Sequence, residues 1–182
     1  MLCRTVGQVL RNFTLDKKIQ TMKNLKRDYP TYKLNKLPEL INHSFTLGKS
    51  IGCTGSIFRR RLVGRLKEKA FWHYAFFLGI TKAEECLFIE NNQDGVEAVN
   101  WYDFVLVGKE WELTHLETTL DKFQEIMTRA EEKSEGGYKG GENNCEHFVN
   151  YCVFGEHKSV QADNVKLVAE LAFTILEARI MM

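Results

Sequence analysis

The spacing of apolar residues changes period once along this chain, between Val107 and Leu116, and that change limits the fold more than any other feature. Before it, apolar residues come in short runs: residues 55–59 (GSIFR), 72–80 (WHYAFFLGI), 86–90 (CLFIE) and 96–107 (VEAVNWYDFVLV). The last run has strand-like alternation and length enough for more than one piece. Thr81-Lys82 and the stretch Asn91-Asn92-Gln93-Asp94-Gly95 read as tight turns between them. After the change, Leu116, Leu120, Phe123, Met127 and Ala130 step by four, three, four and three, the signature of an amphipathic helix. Thr114 followed by Glu117 has the spacing of a capping box at its start. A second helix is predicted from near Asn143–Cys145 to Phe154-Gly155, and a third at the C-terminus. In that third helix Lys166, Glu170 and Glu177 share one face, with Val168, Leu171, Ile175 and Leu176 largely opposite. Packing on the domain is its expected fate, and a membrane surface the alternative. Strands first and helices after define an α+β protein, an antiparallel sheet packed with helices.

The ends of the chain differ from this middle. Residues 1–51 are basic and hold both prolines, Pro30 and Pro38. Val6, Val9, Leu10 and Phe13 fit a short first helix, and residues 21–40 read as loop. The expected organisation is a basic N-terminal extension over 1–51, one domain over 52–165 and the amphipathic helix over 166–182. The net charge of +1 conceals a division: residues 1–72 carry +12 and residues 73–182 carry −11. A basic half of this kind fits an anionic lipid surface or a nucleic acid, or simply neutralises the acidic half. No nucleic-acid motif accompanies it. The five cysteines, at 3, 53, 86, 145 and 152, show no paired spacing, and the first ten residues lack a secretory pattern. A reducing, cytoplasmic setting without a disulfide framework is expected. No run reaches the roughly 18 apolar residues of a membrane span.

One cysteine stands apart. In ENNCEHFVN, residues 142–150, Cys145 follows an asparagine cap and a glycine-rich loop at 136–141. A thiol in the first turn of a helix meets unpaired N–H groups and the positive end of the dipole, which favour the thiolate. The same N–H groups suit an oxyanion formed when a thiolate attacks a carbonyl. A base is also needed. His147, two residues on, does not face Cys145 on a helix and reads as a structural side chain. His115 sits where a helix is expected to begin, and His43 lies in the extension. His73, on the aromatic strand, is open between a core residue and a base. Cys145, His147, Cys152 and His157 offer zinc-type ligands, but their spacing lacks the paired knuckle of a zinc site. No metal or cofactor is called for.

ENNCEHFVN with Phe154-Gly155 after it, and Arg129-Ala130-Glu131-Glu132 and Tyr138 before it, closely resembles the lecithin:retinol acyltransferase-like family, on the side of its phospholipase A/acyltransferase members. His73-Tyr74-Ala75-Phe76-Phe77-Leu78-Gly79 resembles the family's histidine strand, and residues 55–59 its first strand, although the family has Asp where this chain has Ser56. The resemblance covers about residues 52–165. It implies a permuted papain-like fold, His73 as general base, Cys145 as nucleophile, and transfer of a phospholipid acyl chain through a Cys thioester. The family places a second histidine on the next strand, matching Phe88–Asn91. This chain has none there; Glu90 is the substitute, a carboxylate able to orient an imidazole. The expected activity is a phospholipid acyltransferase or phospholipase A, membrane-associated at its periphery. The alternative is a catalytically weak or inactive interaction protein on the same fold, as in some viral proteins with the same pattern.

Overall fold

The computed structural model describes residues 30–47, 49–62, 71–106 and 110–180. The short helix expected around Val6–Phe13 lies outside them. Among the described residues eight strands form: β1 (Leu40–Asn42), β2 (Ser44–Leu47), β3 (Ser50–Cys53), β4 (Ile57–Arg61), β5 (Trp72–Thr81), β6 (Cys86–Asn92), β7 (Gly95–Asn100) and β8 (Trp111–His115). Helices are α1 (Trp101–Leu106), α2 (Phe123–Ser134), α3 (Cys145–Phe154) and α4 (Val160–Ile180). The main sheet runs β7-β6-β5-β4-β8, all antiparallel, with β1 added on β5. Strands β2 and β3 form a separate hairpin. This is the α+β architecture expected: an antiparallel sheet packed against helices.

Strand β5 is apolar without alternation because both its faces are covered. One face carries Tyr74, Phe76 and Leu78 against Ile126 and Ala130 of α2 and Phe148, Val149 and Cys152 of α3. Phe76 stacks on Phe148, ring centroids 6.1 Å apart. The other face carries Ala75 and Phe77 against Phe45, Phe58, Phe88, Trp101 and Phe104. The turn at 91–95 closes β6 to β7, with Gly95 at φ 101° and the Asp94 N–H bonded to Asn92 Oδ1 at 2.8 Å. No disulfide joins the cysteines of the described residues.

Five expectations from the sequence differ in the structure. The run 96–107 is not all strand: β7 ends at Asn100, and the chain turns into α1, whose Trp101 and Phe104 close the second core cluster. Residues 111–115 pair with β4 as β8, so the helix read from Leu116 starts only at Phe123. Thr114 donates its hydroxyl to the Ile57 carbonyl instead of capping, and Glu117 accepts the N–H groups of Thr118 and Thr119. Ahead of β4, where the sequence showed no strand, β1 pairs with β5 and Tyr32 bridges Ala98. Finally, within residues 160–174 of α4 Ala162 alone is buried, and residues 163–174 are exposed. The reason lies in the spacing. Val165, Leu167, Val168, Leu171 and Phe173 spread around most of the helix, which presents no single stripe for the sheet to cover. No helix among the described residues is long and apolar enough to cross a membrane.

The candidate thiol site

Helix α3 begins where the sequence places it. Asn144 is the N-cap, its Oδ1 accepting the N–H groups of Glu146 and His147 at 3.0 Å each. The His147 Nδ1 closes the box by accepting the Asn144 N–H at 3.4 Å. That ring is therefore committed to the cap, as the two-residue spacing implied. Its ring lies 4.8 Å from that of His157, and burial first and His157 second push the imidazole down. Gly155 ends the helix at φ 76°, a left-handed position. The Asn144 carboxamide also donates to the Gly140 carbonyl and to Ser159 Oγ, tying the glycine loop and the start of α4 to the nucleophile's turn.

Cys145 is buried, 4 % exposed, with its Sγ 3.8 Å from the Trp72 carbonyl, and it lies near enough to the His73 ring to act on its charge. The three expected residues thus come together. His73 Nε2 lies 2.9 Å from Glu90 Oε2, and both side chains are buried. The pair follows from register. Ala75 opposes Glu90 across β5 and β6, so His73, one step along the same face, reaches the carboxylate diagonally. Asn92 Nδ2 donates to the other oxygen, Oε1, at 3.0 Å. Helix α3 meets this line at the end of the sheet, where β5 runs three residues beyond its last partner on β6.

Burial alone would lower His73, but the charge and hydrogen bond of Cys145, then those of Glu90, outweigh it and push the imidazole up to about 9. Burial acts to raise Glu90; the His73 bond, the charges of His73 and Arg60 and the Asn92 amide hold its carboxyl below the usual range. Arg60 was not singled out from the sequence. It opposes His73 in the β4–β5 register, is 8 % exposed, and lies over the Phe104 ring at 5.4 Å. Its Nε and Nη1 have no hydrogen-bond partner. Burial pushes this guanidinium down, and the charges of Glu90 and Cys145 oppose that. The alternation Phe58, Arg60 along β4 was the available signal. Its neighbours behave differently: Arg59 and Arg61 flank the Trp72 ring at 4.2 and 3.9 Å and pair with Glu112 and Glu110. The triple-arginine run is therefore largely neutralised inside the fold.

The other candidates separate. Cys152 sits in the core beneath Phe76, and burial pushes its thiol strongly up, which makes it inert. His115 ends a strand, not a helix, and lies edge-on to Phe154. His43 sits between β1 and β2 against Phe123. Beside Cys145 opens a cleft of about 320 Å³, lined by Leu62, Phe71, Trp72, Tyr138, Ala162 and Val165 together with Lys166. A thiol, an imidazole it can protonate, a carboxylate behind the imidazole and an apolar cleft are the parts of a covalent acyl-transfer site.

A family model described as lecithin retinol acyltransferase matches residues 69–158, a span that holds His73, Glu90 and Cys145. No curated protein and no solved structure matches the chain.

Proposed function

Because the chain belongs to the lecithin retinol acyltransferase family through residues 69–158, we propose that it carries out that family's acyl transfer on phospholipids, as a thiol-dependent acyltransferase or phospholipase A. The observation that carries the reading is the Cys145–His73–Glu90 line opening on an apolar cleft. His73 takes the Cys145 proton, and the thiolate attacks the ester carbonyl of a phospholipid acyl chain lying in the cleft. The tetrahedral oxyanion forms at the α3 N-terminus, where the dipole and the Cys145 N–H stabilise it. The imidazolium, held by Glu90, returns its proton to the leaving lysophospholipid oxygen as the carbon–oxygen bond breaks. The thioester then loses its acyl group to water, an amine or an alcohol, with His73 again accepting the nucleophile's proton. Lys166, among the residues lining the cleft, would pair with a headgroup phosphate.

The protein would work at a membrane surface. Val165 of α4 lines the cleft, Leu167, Val168, Leu171 and Phe173 are exposed farther along the same helix, and an anionic leaflet suits the basic N-terminal region. This placement also fits a cytoplasmic, peripheral location.

The test is intact mass after incubation with short-chain phosphatidylcholine. An acyl adduct or released fatty acid in wild type, absent in Cys145→Ser and His73→Gln, supports the reading. Folded wild-type protein that binds the lipid but forms neither adduct nor product refutes it, and favours an interaction module in which replacement of the family's second histidine by Glu90 ended catalysis.

A further inference from the structure

Strand β5 begins with a backbone problem. Its pairing with β6 starts at Ala75, so the Trp72 N–H and C=O, which point to the β6 side, have no strand to meet. The side chain of Gln161 meets them. Its Oε1 accepts the Trp72 N–H at 2.6 Å, and its Nε2 donates to the Trp72 carbonyl at 3.1 Å. A carboxamide has the donor and acceptor of a peptide group, so it extends the ladder by one rung. The same carbonyl is the one that Cys145 Sγ faces at 3.8 Å.

Gln161 is itself held from the nucleophile's helix. Glu146, next to Cys145 and 5 % exposed, accepts the Gln161 N–H at 3.0 Å and the Ser159 hydroxyl at 2.7 Å. Ser159 Oγ in turn accepts from the Asn144 carboxamide at 3.1 Å and from the Ala162 N–H at 3.1 Å. The hydrogen bonds form a closed circuit: Asn144 and Glu146 of the cap, Ser159 just before α4 and Gln161 in its first turn, the Trp72 peptide, and back to Cys145. Ser159 and Gln161 lie just beyond the segment that the family model matches.

We propose that Gln161, in the first turn of α4, is a positioning residue for Cys145: its carboxamide fixes the Trp72 carbonyl that orients the thiol, and so makes the start of α4 part of the reactive site. When the thiol gives its proton to His73, the Trp72 oxygen loses the S–H and turns its lone pairs toward a developing negative charge. The Gln161 Nε2–H remains on that oxygen and offsets its dipole. Gln161→Glu removes this donor, sets two oxygens against each other, and adds a negative charge at the cleft. The other titratable or charged groups around the thiol are His73 and Tyr74 of β5, Arg60 of β4, Glu90 of β6, Tyr138 of the glycine loop and Lys166 of α4. None of them bonds the Trp72 carbonyl, so none replaces the lost donor.

This inference rests on Cys145 being the reactive thiol, and its test needs no phospholipid. The full chain is alkylated with iodoacetamide from pH 5 to 10, and modification of Cys145 and Cys152 is followed by peptide mass in wild type, Gln161→Glu, Gln161→Met and the exposed control Asp163→Asn. Gln161→Glu is expected to alkylate at Cys145 about tenfold more slowly at pH 7, its midpoint displaced upward by about one pH unit. Gln161→Met is expected to fall between it and wild type, and the control to match wild type. A lower melting temperature with a superimposable alkylation profile would mean that Gln161 only supports the fold, and would overturn the proposal. If Gln161→Glu unfolds, seen as equal reaction of Cys145 and Cys152, the near-isosteric Gln161→Met decides, and a wild-type profile there overturns it. Wild type inert toward phosphatidylcholine but with the expected alkylation pattern refutes the lipid reading and supports this one. Undiminished lipid turnover and an unmoved profile in Gln161→Glu do the reverse.

Discussion

Glu90→Gln isolates what the carboxylate behind His73 contributes. Two donors converge on Glu90: His73 on Oε2 at 2.9 Å and the Asn92 amide on Oε1 at 3.0 Å. A carboxylate accepts both, but a carboxamide has one oxygen. If that oxygen stays with Asn92, the new NH2 faces His73 Nε2, which must become an acceptor. The ring proton then moves to Nδ1, on the side where Cys145 needs a base. If the oxygen turns to His73 instead, two NH2 groups collide at Asn92, and an unsatisfied buried donor costs about 1–3 kcal/mol. The charge is also lost. Raising His73 from 6.5 to about 9 corresponds to about 3 kcal/mol of preference for the imidazolium. Cys145 supplies part of it and Glu90 the rest. The tautomer effect alone lowers rate by about 10²–10⁴ in sites of this design. The expected result is a loss of kcat/KM of that order on short-chain phosphatidylcholine. The alkaline limb of the pH profile should also move down from near pH 9. The substitution leaves the buried Arg60 charge without its anion as well, so melting curves must show a folded variant before rates are compared. A folded Glu90→Gln protein within threefold of wild type, with its alkaline limb unmoved, would refute the reasoning.

Three further outcomes are expected. His73 is raised on folding, so its contribution to stability is full below about pH 6.5 and is lost as pH rises through about 9; the difference in melting temperature between wild type and His73→Gln should shrink over that window, and a constant difference would contradict it. Asn144→Ala removes two cap bonds and the ties to Gly140 and Ser159, and should cost about 1–2 kcal/mol in urea unfolding together with a loss of Cys145 reactivity. Phe148→Ala empties a fully buried site stacked on Phe76 and should cost about 3–5 kcal/mol by the same measurement, whereas Leu171→Ala on the exposed part of α4 should stay within about 0.5 kcal/mol.

The sequence by itself determined the parts whose signals are local. Helix α3 is bounded by an asparagine cap and a left-handed glycine within ten residues, so its start at Cys145 and its stop after Phe154 are legible as text. The β6–β7 turn carries its own Asp-Gly, and β5 is apolar and aromatic enough to read as a strand. Cys145 was also within reach, from its place at a helix start; His73 is open between a core residue and a base until the family resemblance assigns it, and Glu90 comes from that resemblance alone. What tertiary structure decided are the competitions between partners distant in sequence. Residues 111–115 look like a helix entry until β4 offers them a ladder, and α4 looks amphipathic until no face of the domain accepts it. In sequence Arg60 is one of three consecutive arginines; the pairing of β4 with β5, which sets it opposite His73, shows that it is the inward one. Gln161 has no pattern at all. It matters because β5 runs three residues past its last pairing with β6, and the Trp72 peptide left without a strand partner is brought beside α4 by the folded sheet. A side chain's role of that kind is set by which backbone groups the fold leaves unsatisfied, and no local spacing records it.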